Sequence, residues 1–311
     1  MLRRVLLAAS ASSRLRQLIT TAPRTRAIVD SYVAGETEQD AVRVTRALRA
    51  AGLLVSLDYL GEDTRDPAQA AAVTDEYIEL LGKLGAEGLT QRGGAEVSVK
   101  PTAVGLFLGA RTAAENISRI CDAAREAGTT VTLDAEEFAA IEPTLRIAAR
   151  LRAEYSDLGC VVQACLRRSE ADCRALAGYG IRVRLCKGAY RESESVAFTA
   201  RRDVDASYAR CLRALMNGPG YPMLATHDPR LIEITGSLAL LTGRAADSFE
   251  YQMLYGIRPA EQRRLADTGA QVRVYVPYGG DWYAYLVRRL AERPANLAFF
   301  LRSLRSVGRT S

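Results

Sequence analysis

The chain has 311 residues, of which 48% are hydrophobic and 25% are charged, which is the composition of an ordinary globular protein. Its formal net charge is +6, but outside the first 27 residues the arginines are spread along the predicted helices and form no single patch, so we expect no nucleic-acid partner. No apolar run approaches the roughly 20 residues of a membrane-spanning helix. A single histidine and six cysteines without a C-x-x-C pair exclude the usual zinc clusters.

The first 27 residues form a basic segment with no acidic residue before Asp30. Its apolar run, Val5–Ala9, is shorter than the core of about 7–15 residues that a signal peptide needs. Three interpretations stay open: a solvated basic helix, a contact with a membrane surface, or an organelle-targeting segment. We expect cytoplasmic localisation, with peripheral attachment to the inner face of the cell membrane as an alternative. The arginines of the segment are Arg3, Arg4, Arg14, Arg16, Arg24 and Arg26.

Residues 1–50 precede the first predicted strand and have the pattern of extra helices, of which Thr37–Ala51 is the clearest. From residue 53 onward, short β-branched runs bounded by turn residues alternate with stretches of helical spacing. The runs predict eight strands: Leu53–Leu60, Ala95–Thr102, Thr130–Glu136, Gly159–Leu166, Arg182–Ala189, Tyr221–Asp228, Ser248–Leu254 and Gln271–Tyr278.

The alternation of strands and helices predicts parallel strands joined by crossover helices. Eight such units close naturally into a (β/α)8 TIM-like barrel of about 250 residues. We therefore predict an N-terminal helical segment over residues 1–50 and a catalytic barrel over residues 51–311, with a doubly wound open sheet as the main alternative. The predicted helices include Ala68–Leu84, Ala113–Ala127, Phe138–Glu154, Ala171–Ala177, Leu231–Leu241 and Pro259–Asp267.

Polar residues recur late in the predicted strands, at the end where barrel enzymes carry their chemistry. Lysine usage sharpens this pattern, because only Lys83, Lys100 and Lys187 are lysines and two of them stand at strand ends. Snorkelling toward the barrel rim is one explanation, and a compact ammonium facing an anionic ligand is the other. The polar strand-end residues are Asp58, Lys100, Asp134, Gln163, Lys187, His227, Gln252 and Tyr275.

Three of these positions allow specific hypotheses. Asp134 either caps the following helix or faces the barrel mouth beside a basic group, and we favour the mouth. The segment Lys187–Ala189 contains a glycine that permits close approach of a phosphate or a ring. His227 is a candidate general base, although a hydrogen bonder in the core or at a cofactor edge is the commoner case, and no G-x-S-x-G supports Ser-His-Asp chemistry.

The last helical stretch places Tyr285, Arg288, Arg289 and Glu292 at offsets of 0, 3, 4 and 7 residues, hence on one helical face. Adjacent arginines near a barrel mouth suit bidentate binding of a carboxylate. A surface stripe of ion pairs is the alternative.

Nine segments, in order from residue 55 to residue 296, resemble the proline dehydrogenase family in its monofunctional, FAD-dependent form. One such motif would be weak, but nine at barrel spacing are highly specific. The resemblance implies a distorted (β/α)8 barrel with FAD across the strand ends. It implies oxidation of L-proline to 1-pyrroline-5-carboxylate by hydride transfer to FAD, followed by reoxidation by a quinone-type acceptor. The segments are Val55–Glu62, Val97–Ala103, Val131–Glu136, Val161–Arg168, Arg184–Glu192, Ala225–Asp228, Phe249–Gly256, Arg273–Gly279 and Tyr285–Asn296.

The resemblance also implies how the substrate carboxylate is bound. Lys100, Arg288 and Arg289 are the expected ligands of the proline carboxylate. Glu62 is expected to pair with Arg288 to close the barrel mouth, and Glu292 to pair with a neighbouring arginine.

The resemblance also implies which residues contact the pyrrolidine ring and the flavin. Tyr275, Tyr285 and Leu185 are expected to pack on the ring, Asp134 to organise the site beneath it, and Arg184 to lie beside the flavin where hydride is accepted. Asp134 and Arg184 are thus the candidate catalytic residues. The expected FAD ligands are Ala135, Gln163, Arg184, Lys187, Gly188, Ala189, Tyr190, Thr226 and His227.

The chain departs from the family pattern at Cys165 and Cys186, where we expect bulkier residues; both cysteines suit packing as small hydrophobes. From the residues alone, two other functions stay open. One is a Schiff-base aldolase that uses Lys100 or Lys187 as a neutral amine. The other is a non-enzymatic barrel that binds a phosphate or a nucleotide.

The paired arginines give a first prediction. Arg288→Met and Arg289→Met should each raise the KM for proline about tenfold or more while FAD stays bound, because each removes a charge-assisted hydrogen bond worth roughly 1.5–3 kcal/mol. Steady-state kinetics with flavin absorbance as the control measures this. Unchanged proline kinetics in both variants would contradict carboxylate binding.

Overall fold

The computed structural model describes residues 29–190, 192–283 and 285–286. Its centre is a closed barrel of eight parallel strands, in which each strand pairs with the next along the chain and the last pairs with the first. Closure confirms the predicted (β/α)8 fold and excludes the doubly wound sheet. The strands are β1 (Leu54–Tyr59), β2 (Ala95–Val99), β3 (Val131–Leu133), β4 (Gly159–Gln163), β5 (Arg182–Cys186), β6 (Tyr221–Ala225), β7 (Glu250–Leu254) and β8 (Val272–Tyr278).

All eight predicted strands are present, but β1 to β6 end one to three residues earlier than predicted. Consequently Lys100, Asp134, Lys187 and His227 lie just after their strands, in the loops that lead to the next helix. Such loops form the C-terminal face of a barrel, where side chains from different strands converge.

Helices separate the strands as predicted, and one more helix precedes the barrel. Thr37 caps the preceding helix through a reciprocal capping box with Asp40. Two of the crossover helices begin at proline behind a capping aspartate, Asp66 or Asp228. Within the described residues no helix is long and apolar enough to span a membrane. The helices are α1 (Glu38–Ala50), α2 (Pro67–Ala86), α3 (Ala110–Glu126), α4 (Phe138–Leu151), α5 (Ser169–Gly178), α6 (Arg201–Asn217), α7 (Pro229–Thr242) and α8 (Pro259–Asp267).

The outward faces of the strands carry the apolar core. Val55, Leu57, Val97 and Val99 are fully buried in one cluster together with helix residues such as Tyr77. Because side chains alternate along a strand, the intervening residues face the barrel axis.

The inward faces are polar and charged, unlike the branched apolar layers that usually fill such barrels. At the N-terminal end of the strands, Arg273 donates to both carboxylate oxygens of Glu250, at 2.7 and 3.0 Å. Arg182 donates to Glu96 at 2.6 Å in the same layer. Buried charges of this kind are tolerated only when they are paired, and these are.

Candidate active site

Five of the predicted residues come together at the C-terminal end of the barrel: Asp58, Lys100, Asp134, Arg184 and Tyr275. They belong to five places along the chain and reach one another only because β8 pairs with β1 and closes the ring. All five lie on the inward face of the barrel.

Lys100 and Asp58 form a buried ion pair at the mouth. Burial alone would lower the pKa of Lys100, but the negative charges of Asp58 and Asp134 outweigh it and raise that pKa. Burial raises the pKa of Asp58, against the effect of the Lys100 charge. Lys100 is therefore an ammonium, and its three donors allow it to hold Asp58 and an incoming anion at the same time.

Asp134 is the acceptor at the centre of the site. Its Oδ1 accepts from Arg184 Nη1 at 2.6 Å and from Ser98 Oγ at 2.9 Å, and its Oδ2 accepts from Tyr275 Oη at 2.8 Å. Helix α4 begins after Glu137, without a side-chain cap. Asp134 therefore faces the barrel beside a basic group, as favoured from the sequence, and does not cap the helix.

Arg184 lies below Asp134 and is almost fully buried. Besides Asp134, its guanidinium donates to Gln252 Oε1 at 2.6 Å, Ser98 Oγ at 2.7 Å and Ser56 Oγ at 3.0 Å. Burial would lower the pKa of Arg184, but the charges of Asp134 and Glu96 outweigh it and raise that pKa. Arg184 thus supplies a fixed positive charge under the mouth.

Sequence reasoning did not assign partners to Arg184 below the strand ends. Ser56, Glu96 and Ser98 precede Asp58 and Lys100 by two or four residues, so period-two alternation places them on the same inward face. That spacing was the available signal.

The structure does not bring Leu185 to the mouth. Because Leu185 follows Arg184 directly in β5, alternation turns it to the opposite face, where it is fully buried in the core between the sheet and the helices. Leu254 is the aliphatic residue that does face the mouth, two residues above Gln252 in β7. It packs against an apolar cluster that contains Tyr285 and Leu60.

Gln163 and Glu136 join the β3 and β4 sides of the mouth. Gln163 Nε2 donates to the main-chain oxygen of Glu136 at 2.7 Å. Both oxygens of the Glu136 carboxylate accept from Thr102, one from its amide at 3.0 Å and one from its hydroxyl at 2.5 Å. Burial raises the pKa of Glu136 to about 7. Ala135, beside Glu136, is half-buried.

The segment after β5 combines a cation with an open backbone. Lys187 Nζ pairs with Asp205 at 2.5 Å and with Asp228 at 3.1 Å. Gly188 has φ +100°, and a Cβ there would lie 2.3 Å from Cys165 Sγ, so only glycine fits. Ala189 is exposed and Tyr190 half-buried.

The histidine serves as an acceptor. The amide of Leu254 donates to His227 Nε2 at 2.9 Å, so this nitrogen carries no proton and links the ends of β6 and β7. Thr226 Oγ1 accepts from the Asp228 amide at 3.1 Å. The bond from the Leu254 amide matches a hydrogen bonder satisfied within the fold better than a general base.

The two cysteines beside these residues are neutral thiols, because burial raises the pKa of Cys165 to about 11 and that of Cys186 to about 12.

The residues that follow β4, β5 and β6 at the mouth have the chemistry that a flavin nucleotide requires. Gln163 offers an amide for the edge of a flat ring, and the Gly188 backbone allows close approach. Two aspartates, Asp205 and Asp228, are surrounded by three basic side chains: Lys187, Arg201 and Arg230. The cluster therefore has one positive charge in excess, which suits the binding of a pyrophosphate.

Some predicted residues cannot be placed in this way. Glu62 is half-buried in the loop between β1 and α2. Arg288, Arg289, Glu292 and residues 1–27 lie outside the described residues, so the Glu62–Arg288 pair stays a prediction.

A family model described as "Proline dehydrogenase" matches residues 41–302. Proline dehydrogenase 1 of Bacillus subtilis is 37% identical over 304 residues, which are 98% of this chain and 99% of that protein. Proline dehydrogenase of Deinococcus radiodurans is 36% identical over 282 residues, which are 89% of this chain and 90% of that protein.

Among solved structures, proline utilization A from Bdellovibrio bacteriovorus, inactivated by N-propargylglycine, superimposes with a TM-score of 0.80 at 26% identity. The match covers 86% of this chain and 33% of that one, so the chain spans about a third of that larger protein.

The Lys100–Asp58 pair yields the second prediction. Lys100→Met should weaken binding of tetrahydrofuroate, a cyclic carboxylate, about tenfold or more, because it removes a charged donor from the mouth. Titration of the purified protein measures this, and Lys83→Met, which removes only the ion pair with Glu38 on the outer surface, is the matched control. Loss of thermal stability with unchanged affinity would make Lys100 purely structural.

Proposed function

The chain belongs to the proline dehydrogenase family, and we propose that it oxidises L-proline to 1-pyrroline-5-carboxylate by hydride transfer to a bound FAD, which a quinone-type acceptor reoxidises. Membership makes it an oxidoreductase of proline catabolism that acts on a CH–NH group. The observation that carries the finer proposal is the stacked arrangement of Lys100, Asp134 and Arg184 beneath the barrel mouth.

The upper residues of this arrangement orient the substrate. Lys100 would hold the proline carboxylate together with Arg288 and Arg289, while Asp58 keeps its ammonium in place. Tyr275 is fixed by its bond to Asp134, so its ring forms one wall for the pyrrolidine. Leu254 supplies an aliphatic surface on the neighbouring strand. Holding the reacting carbon within about 3.5 Å of its acceptor accounts for much of the rate enhancement of such a step.

Oxidation breaks a C–H bond of the ring carbon that adjoins nitrogen on the side away from the carboxylate. The hydride leaves that carbon, the nitrogen lone pair forms the C=N double bond, and loss of the proton on nitrogen gives neutral 1-pyrroline-5-carboxylate. FAD, when bound, supplies the acceptor of the hydride. Gln163, Lys187, Gly188, Thr226 and His227 would hold it, with Ala135, Ala189 and Tyr190 beside them. Arg184 contributes a positive charge near the place where electron density accumulates, and a preorganised charge of this kind stabilises the transition state.

The aldolase alternative requires a neutral lysine amine. Carboxylates pair with both candidate lysines: Asp58 with Lys100, and Asp205 and Asp228 with Lys187. The charges of Asp58 and Asp134 raise the pKa of Lys100 and favour its ammonium, which is not a nucleophile. Lys100 therefore suits anion binding better than Schiff-base chemistry.

The third prediction tests the flavin and the substrate together. Purified protein should be yellow, with flavin absorbance that L-proline bleaches without oxygen and that a quinone restores. A colourless protein that borohydride links covalently to a carbonyl substrate would instead be an aldolase. A flavoprotein that proline leaves oxidised would contradict the proposed substrate.

We also propose that residues 1–27 bring the enzyme to an anionic membrane, where a lipid-soluble acceptor is found. Six arginines without a nearby acid would each contribute about 1 kcal/mol near such a surface.

The fourth prediction follows. The full chain should co-sediment with anionic vesicles at low salt, less at high salt, and hardly with neutral vesicles. A chain without residues 1–27 is the control and should stay in the supernatant. Equal, negligible binding to both vesicle types would exclude membrane attachment, and deletion would then be expected to reduce stability instead.

A further inference from the structure

Gln252 is a buried, neutral link between two charged groups inside the barrel. Its Oε1 accepts from Arg184 Nε at 2.6 Å, and its Nε2 donates to Glu250 Oε1 at 2.5 Å. An amide has one accepting end and one donating end. Its orientation is therefore fixed, because the reversed amide would set its oxygen against a carboxylate and its N–H against a guanidinium.

The far end of this link is anchored. Arg273 holds both oxygens of Glu250 and also donates to the main-chain oxygens of Val55 and Gly94, at 2.9 and 3.1 Å. Gln252 thus connects the lower layer of the barrel, through side chains alone, to Arg184 in the layer below the mouth.

The neutrality of Gln252 matters as much as its bonds. Arg184 donates a hydrogen bond to only one described carboxylate, that of Asp134. The nearest oxygen of Glu96 lies 3.6 Å from Arg184 Nη2, and the other groups that accept hydrogen bonds from Arg184 are neutral. A carboxylate at position 252 would lie against the guanidinium and cancel more of its charge.

We propose that Gln252 is a positioning residue, which fixes Arg184 beneath the reacting ring and leaves the charge of Arg184 available to the site. This inference rests on the proposed oxidation of proline at the barrel mouth. Gln252 acts through Arg184, since its own amide ends are both occupied by side chains of the interior.

Two substitutions separate the bonds of Gln252 from its neutrality. Gln252→Met removes both hydrogen bonds at similar volume, and we expect kcat to fall about tenfold or more while the KM for proline changes less than about threefold. Gln252→Glu is nearly isosteric. When protonated it reproduces the amide, donating to Glu250 and accepting from Arg184; when ionised it cancels charge on Arg184.

The glutamate variant therefore has a pH signature. The ratio of its kcat to that of the unmodified protein should fall as pH rises, and the midpoint potential of its bound flavin should become more negative relative to that of the unmodified protein over the same range. A residue needed only for folding would change neither quantity.

Gln262 provides the matched control. It is equally buried, its Nε2 donates to the main-chain oxygens of Leu254 and Ile257, and no hydrogen bond joins it to Arg184. Gln262→Met and Gln262→Glu should lower the melting temperature without the kcat loss or the pH-dependent ratio.

The outcomes are distinct. A flat pH ratio and an unchanged flavin potential in folded Gln252→Glu would overturn the positioning assignment, as would a Gln252→Met activity loss matched by Gln262→Met. If Gln252→Met does not fold, Gln252→Glu decides alone. An unmodified protein that neither binds flavin nor oxidises proline would instead refute the proposed function.

Discussion

The ion pair between Arg184 and Asp134, at 2.6 Å, is the interaction on which the rest of the barrel interior depends. Both side chains are buried, and taking two charges out of water costs more than their attraction returns unless the remaining donors and acceptors are also satisfied. The hydroxyls of Ser56 and Ser98 and the amide of Gln252 satisfy them. Polar residues in three strands thus follow from one buried pair.

The same requirement extends toward the N-terminal end of the barrel. Gln252 needs an acceptor for its N–H groups and finds Glu250; Glu250 is a buried charge and is matched by Arg273. Apolar burial is therefore displaced to the outer face of the sheet, where the strands pack against the helices. The apolar contacts that stabilise the fold therefore lie mainly outside the barrel, whereas the side chains inside it mainly hold charged groups in position.

The sequence predicted the fold well because most strands and helices have a clear local pattern of apolar residues and turn residues. Turn residues bound the strands, and all eight appear within three residues of their predicted limits. The predicted helices do not include α6, although it has 17 residues. Strand-end polarity found Asp134 and Lys100. Period-two alternation also places Ser56, Glu96 and Ser98 on the inward face, but which of them reach Arg184 depends on which strands face one another across the barrel, and no local pattern reveals that. Leu185 was assigned to the pyrrolidine ring by resemblance, but it follows the inward-facing Arg184 in β5, so its side chain lies on the outer face of the strand.

Charge balance also bears on the residues that bind the substrate carboxylate. In the described interior, four basic side chains pair with four carboxylates, and Glu136 is a further buried acidic group beside the mouth, so this region offers no net positive charge to an anion. The paired side chains are Lys100, Arg182, Arg184, Arg273, Asp58, Glu96, Asp134 and Glu250. Lys100 in particular already shares its charge with Asp58. A carboxylate entering a site of low dielectric needs uncompensated cations close to it. The adjacent Arg288 and Arg289 predicted on one helical face would supply that charge, which is the electrostatic reason to expect two arginines at the mouth in addition to the lysine.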